Sequence, residues 1–133
     1  MLKKIFELLP LFSIIILLDS CKINKTDLSG TYVAKNLINN IDTLKIFENG
    51  TYSKVLYRKN NNSLIYKNTG KWTYNGKRIV LYDFFSDEDE IHTIEEKNFE
   101  DILITSSFTI DRKFNKIVIY YMDLTDYKYY EKQ

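Results

Sequence analysis

Two Asn-Gly dipeptides, Asn49-Gly50 and Asn75-Gly76, constrain the fold of this chain more than any other feature. Each sits between runs in which apolar and polar residues alternate. Asp42–Phe47 and Thr51–Tyr57 flank the first, and Leu64–Tyr74 and Lys77–Tyr82 flank the second. A tight hairpin turn needs positive φ at its central residues, which Asn and Gly tolerate best. Alternation with period two turns one face of each strand toward a core. The stretch Asp42–Phe84 therefore reads as two antiparallel hairpins.

Their registers follow from turn length. A two-residue loop at Asn49-Gly50 pairs Ile46 with Ser53 and Leu44 with Val55, whereas a three-residue loop with a glycine bulge pairs Ile46 with Tyr52. A slip of one residue reverses every side chain of the returning strand. The three-residue loop is favoured because it turns Tyr52 inward, although Lys54 then points the same way. At Asn75-Gly76 a two-residue turn pairs Trp72 with Ile79 and Gly70 with Leu81, with Tyr66, Asn68, Gly70, Trp72 and Tyr74 sharing a face.

The rest of the chain reads the same way. A strand starts near Asp27–Ala34, and Lys35–Ile41 reads as a loop with room for a short helical turn. Further strands cover Ile102–Asp111, Lys116–Met122 and Tyr127–Lys132, where Ile117, Ile119 and Tyr121 share one face, as do Tyr127 and Tyr129. A short strand around Ile91–Ile94 is a further candidate. The expectation is an all-β domain, a small antiparallel up-and-down barrel of about eight strands, because closure removes exposed edges. A sandwich is the alternative. With 133 residues there is room for one such domain, and 4 Gly with 1 Pro argue against disorder.

The N-terminus carries an address. Lys3 and Lys4 precede an apolar run, Leu8–Leu18, that is about 11 residues long against roughly 20 needed to span a bilayer. It reads as the core of a signal peptide. The run ends at Leu18-Asp19-Ser20-Cys21, which resembles the lipobox of bacterial lipoproteins, with Asp19 where a small or apolar residue is usual. The division is residues 1–20 as signal peptide, 21–26 as lipidated Cys21 and tether, and 27–133 as the barrel. Acyl chains of the palmitate kind on Cys21 would hold the domain on a membrane without a protein span. An ordinary secretory signal with a chance cysteine is the alternative. Lys22 after the cysteine resembles outer-membrane-sorted lipoproteins, which points to the periplasmic face of a bacterial outer membrane.

The order of signals then becomes familiar. Leu28-x-Gly30-x-Tyr32 comes first, followed by Leu44-x-Ile46-x-x-Asn49-Gly50-Thr51-Tyr52, Gly70-x-Trp72 and Ile79-x-Leu81. A Tyr-rich closing strand with Lys128 and Lys132 ends the series. From Asp27 onward this resembles the small lipocalin-like lipoproteins of Bacteroidota, and its layout is similar to the N-terminal barrel of copper-resistance envelope lipoproteins. The resemblance implies a barrel and a hydrophobic ligand. The Cys-x-x-Cys of the copper-resistance proteins is absent, so metal sensing is not implied.

Candidate chemistry is sparse. Lys+Arg 19 against Asp+Glu 18 gives no global steering toward nucleic acid, and an envelope address conflicts with it. A basic, aromatic-rich set, Lys45, Lys54, Arg58, Lys59, Lys67 and Lys71, reads as solvated outer strand faces. One cysteine excludes an internal disulfide and a Cys-rich zinc site. His92 lies among carboxylates without a nucleophile motif, so no catalytic residue, metal or cofactor is expected. Two surfaces remain, and binding of a small hydrophobic or amphipathic ligand is the leading expectation, with a protein-interaction role, inhibiting an envelope enzyme or neutralising a toxin, as the alternative. Tyr52, Tyr66, Trp72, Tyr74, Tyr121 and Tyr129 could line a barrel cavity, their hydroxyls orienting a small hydrophobic or amphipathic ligand, with a packed core as the plainer reading. Asp87, Glu88, Asp89 and Glu90, within the acidic stretch Asp87–Asp101, could steer a basic partner protein, with a solvated charged loop as the plainer reading.

Overall fold

The computed structural model describes residues 22–85, 103–121 and 128–133. Eight strands follow one another: β1 Gly30–Lys35, β2 Asn40–Ile46, β3 Thr51–Arg58, β4 Leu64–Tyr74, β5 Arg78–Phe84, β6 Ile104–Lys113, β7 Lys116–Tyr120 and β8 Tyr129–Lys132. Each pairs antiparallel with the next, and β8 pairs with β1, so the sheet closes into an up-and-down barrel. Residues 1–20, expected as a signal peptide, Cys21, the Ile91–Ile94 candidate strand, His92 and the whole acidic stretch lie outside the described residues.

The first turn is the three-residue form. Phe47 N–H donates to Thr51 O at 2.9 Å, Asn49 Oδ1 accepts from Thr51 N–H at 3.1 Å, and Gly50 takes φ 85°. Ile46 therefore pairs with Tyr52, and β3 turns Tyr52, Lys54 and Leu56 inward. Lys54 is thus an interior residue and not part of an outer face.

The second turn corrects the expected register. Trp72 pairs with Leu81 and Tyr74 with Ile79. The reason is local: Asn75 Oδ1 accepts from Lys77 N–H at 3.0 Å and Arg78 N–H at 2.8 Å, and Asn75 N–H donates to Arg78 O at 3.3 Å. The central pair becomes Gly76-Lys77, with Gly76 at φ 92° in the first position that such hairpins reserve for glycine. The pairing shifts by two residues, which leaves every side chain on its expected face.

The last strand needs a second correction. Tyr130 pairs with Ile119 and with Ala34 and is fully buried. Tyr129, expected inside, is therefore on the outer face, where its ring meets Tyr120 and the Lys113 ammonium. Period two allows only one of two neighbours inside.

The barrel has two unlike ends. One, here the base, carries the turns at 47–51, 75–78 and 113–116 and the C-terminus. A single 3-10 turn, Lys25–Leu28, docks there. Tyr32 Oη–H donates to Leu28 O at 2.8 Å, Lys132 Nζ to Asp27 O at 2.6 Å and Tyr74 Oη–H to Ile23 O at 3.1 Å. Ile23, within the stretch expected as a tether, thus contacts the barrel through Tyr74. The other end, the rim, is where β1 leads to β2, β3 to β4, β5 to β6 and β7 to β8.

Candidate functional site

The interior is the first place to look for a ligand, and the chain's own side chains fill it. Leu44, Ile46, Tyr52, Trp72, Ile79 and Leu81 belong to one buried cluster with Phe84, Phe108, Ile119 and Tyr130. Rings meet at tilted or edge-on angles, as Phe84 does with Phe108 at 5.2 Å and Tyr121 with Tyr130 at 4.7 Å. Leu56, Tyr66 and Phe85 form a smaller cluster at the rim.

A buried ion pair stands between these clusters. Lys54 Nζ lies 2.9 Å from Asp42 Oδ2, and both side chains are fully buried. The ammonium also donates to Phe85 O at 2.6 Å and to Tyr130 Oη at 2.9 Å, and it sits 4.3 Å from the centre of the Phe84 ring. Tyr130 Oη–H donates to Asp42 Oδ2. A buried charge is tolerated only with such a set of partners. The sequence held a usable sign. If Lys54 is inward, a carboxylate must be within reach, and Asp42 shares the inward face of β2 with Leu44, the cross-strand partner of Lys54.

The sheet is incomplete on one side. The β4–β5 ladder covers Trp72 to Tyr74 only, and Asp83 bulges at φ 57°. Side chains bridge the remaining seam. Tyr52 Oη–H donates to the carbonyls of Tyr82 at 2.8 Å and Asp83 at 2.9 Å, and Asn68 Nδ2 donates to Asp83 O at 2.8 Å. Gly70 was expected to make room opposite Leu81. It instead lies opposite Tyr52, and a Cβ there would come within 2.5 Å of that ring and 2.4 Å of Tyr82 O. An open cleft of about 720 Å³ lies along this seam, lined by Phe47, Thr51, Thr69, Lys71 and their neighbours.

The six residues considered as ligand-lining thus divide. Tyr52, Tyr66, Trp72 and Tyr121 are buried in the packed interior. Tyr74 is half-buried with its hydroxyl on Ile23, and Tyr129 is outside. Trp72 Nε1–H donates to Phe47 O at 2.9 Å, tying β4 to the first turn. Burial pushes the Tyr66 phenol up to about 12, while hydrogen bonding from Asn68 pulls it down. Burial also raises Tyr32, with Asp27 adding to it, and Tyr52, with Tyr66 and Asp83 adding to it.

Outside the barrel, three separate rim positions expose apolar side chains: Ile38 at 78%, Leu64 at 53% and Ile104 at 54%. A cleft of about 520 Å³ opens at Ile38, between Ile38–Asn40 and Arg58–Asn60. The acidic residues Asp87 to Glu90 lie outside the described residues, in the connection between β5 and β6, which leaves from this rim. Among the described residues no group of three or more His, Cys, Asp or Glu side chains is placed to hold a metal ion, and no helix is long and apolar enough to cross a membrane.

Among solved structures, the chain is similar to an NMR structure of a protein from Bacteroides thetaiotaomicron VPI-5482. The TM-score is 0.51 at 18% identity, and the alignment covers 84% of this chain and 94% of that one. At that identity the likeness is one of fold alone. No family model matches the chain, and no curated protein does.

Proposed function

We propose that this chain is a lipid-anchored, lipocalin-like lipoprotein of the bacterial envelope, held through Cys21 on the periplasmic face of the outer membrane. Its barrel is a filled, non-catalytic scaffold that presents its rim to a protein partner. The observation that carries this reading is where the apolar surface sits. The interior is occupied by the chain itself, while Ile38, Leu64 and Ile104 are each exposed at the end remote from residue 22, Ile38 in the cleft it shares with Arg58 and Lys59. Exposed apolar residues beside charged ones are what a docking surface requires. Arg58 and Lys59 flank the rim cleft and supply charge that can select a partner.

Native mass spectrometry of the full-length protein, extracted gently from its host's envelope, tests this. A protein partner should co-purify and be lost from the variant Ile38→Glu/Leu64→Glu, with the barrel's circular dichroism unchanged. A partner retained by that variant would remove the rim from the account. A second reading, a small amphipathic ligand, is favoured by the seam cleft beside Tyr52. It predicts a small-molecule adduct that the rim variant keeps.

A further inference from the structure

The base of the barrel has a feature that partner capture at the rim leaves unused. Phe114 is 91% exposed at the tip of the β6–β7 turn, the most exposed of the large hydrophobic residues described. It takes φ 49° and Asn115 follows at 63°, so an aromatic side chain holds a turn position in which bulky residues are uncommon. Nothing within the described residues covers it, and its backbone conformation is not one that phenylalanine prefers.

Its surroundings are basic. Arg112 and Lys113 precede the tip and Lys116 follows it, all exposed. Arg112, Lys116 and Lys132 line an open cleft of about 280 Å³ together with Asp27, Asn115 and Gln133. Lys22 and Lys25 add charge from the docked N-terminal segment, and Lys77 from the neighbouring turn. The opposing carboxylates at this end are fewer. Glu131 is held by Lys116 at 2.9 Å, Asp27 accepts from Asn24 N–H at 2.9 Å, Asp111 accepts from Arg112 N–H at 2.7 Å, and Glu48 lies on the first turn. The stretch richest in acid leaves from the opposite end.

The position of residue 22 selects the occupant. Residue 22 is at the base, Ile23 is already bonded to Tyr74, and Cys21 is the next residue outside the described chain. An acyl anchor on Cys21 would bring the base, with no slack linker, against the lipid headgroups. Exposed aromatics favour that interfacial zone, and Lys and Arg favour an anionic lipid surface.

We infer that the base of the barrel is a membrane-docking face, in which Phe114 enters the interfacial region of an anionic phospholipid leaflet while the surrounding lysines and Arg112 engage its phosphates. This rests on the anchored reading, and it adds an orientation: the barrel stands upright on the membrane with its rim facing away.

The test uses the full-length protein reconstituted into vesicles of phosphatidylcholine, with or without phosphatidylglycerol, carrying brominated acyl chains. Phe114→Trp adds an indole at the tip, and the wild type, whose one Trp is Trp72, supplies the baseline. In anionic vesicles the added emission should move to the blue and be quenched by bromine. Arg112→Gln/Lys113→Gln should weaken that quenching. The mass of the extracted protein reads the anchor separately. Acyl mass on Cys21 with an indole at 114 that stays water-exposed in both vesicles would overturn the docking face alone. Absence of acyl mass with anionic-lipid-dependent quenching would overturn the anchor and keep the docking face.

Discussion

The two halves of the barrel interior solve the same problem by different chemistry. Toward the base, Leu28, Ile46, Trp72, Ile79 and Ile117 pack as an apolar core that short turns and the 3-10 segment close off. Toward the rim, Asp42, Lys54 and Tyr130 place charge in the interior, and the β4–β5 ladder gives way to side chains bonded to the Tyr82 and Asp83 carbonyls. Apolar packing is tolerant of partner identity and roughly additive in area. A buried ion pair depends on every member being present. Stability at the base is therefore spread over many contacts, and at the rim it is concentrated in a few.

The sharpest way to break this comparison is to remove one charge. Lys54→Ala or Asp42→Ala should destabilise by about 3–5 kcal/mol, because the remaining charge is left buried without its partner. The double variant Asp42→Leu/Lys54→Met should return close to wild type in urea unfolding, since apolar replacement of a whole buried pair is often neutral. Trp72→Ala at the base should cost about as much, by loss of packing and creation of a cavity. There a second substitution that restores no volume should bring no recovery. A double variant as unstable as the single ones would mean that the ion pair does not act as a closed unit.

A smaller effect probes the seam between β4 and β5. Gly70→Ala pushes a Cβ into the Tyr52 ring and the Tyr82 carbonyl, and overpacking of this kind costs about 1–3 kcal/mol. If the clash is the cause, Tyr52→Ala in the same chain should reduce the additional penalty of the alanine.

The gentlest test is alkaline titration. Burial keeps the phenols of Tyr32, Tyr52 and Tyr66 protonated in the fold, whereas in the unfolded chain they ionise near the ordinary value of about 10. Below that pH both states hold the same protons and stability is flat with respect to these groups. Above it the unfolded chain loses protons that the folded chain keeps. Stability then falls by about 1.4 kcal/mol per pH unit for each phenol held neutral, until the folded phenols ionise in turn. Unfolding free energies from urea titrations between pH 9 and 12 should fall with that slope, and Tyr66→Phe should make it shallower.

Much of the fold was legible because it rests on local rules. Alternation in Asp42–Phe47 and Leu64–Tyr74 marked strands and faces, and Asn49-Gly50 marked a turn whose bulged form the structure has. What failed did so by small steps of register. Asn75 bonds forward to Lys77 and Arg78, so the second turn slides one residue along, and no local rule ranks that against the neighbouring alternative. Tyr129 and Tyr130 are adjacent and alike, and pairing with β7 and β1 chooses between them. Lys54 looked anomalous on an inward face because its partner lies on another strand.

From the sequence alone came what short-range physics dictates: strand periodicity, positive-φ turns, an all-β chain compatible with closure, and the lipobox-like Cys21 that motivates the anchor. Only the tertiary structure decided which residues meet. Strand closure brings Tyr130 to Asp42, residues far apart in the chain, and the resulting pocket of donors and acceptors makes a buried Lys54 tolerable. It also decided that the base carries residues 22–28 with Phe114 and its lysines while the longer connections leave from the rim. That polarity depends on the odd and even turns of a closed meander falling at opposite ends, which no single segment of the sequence contains.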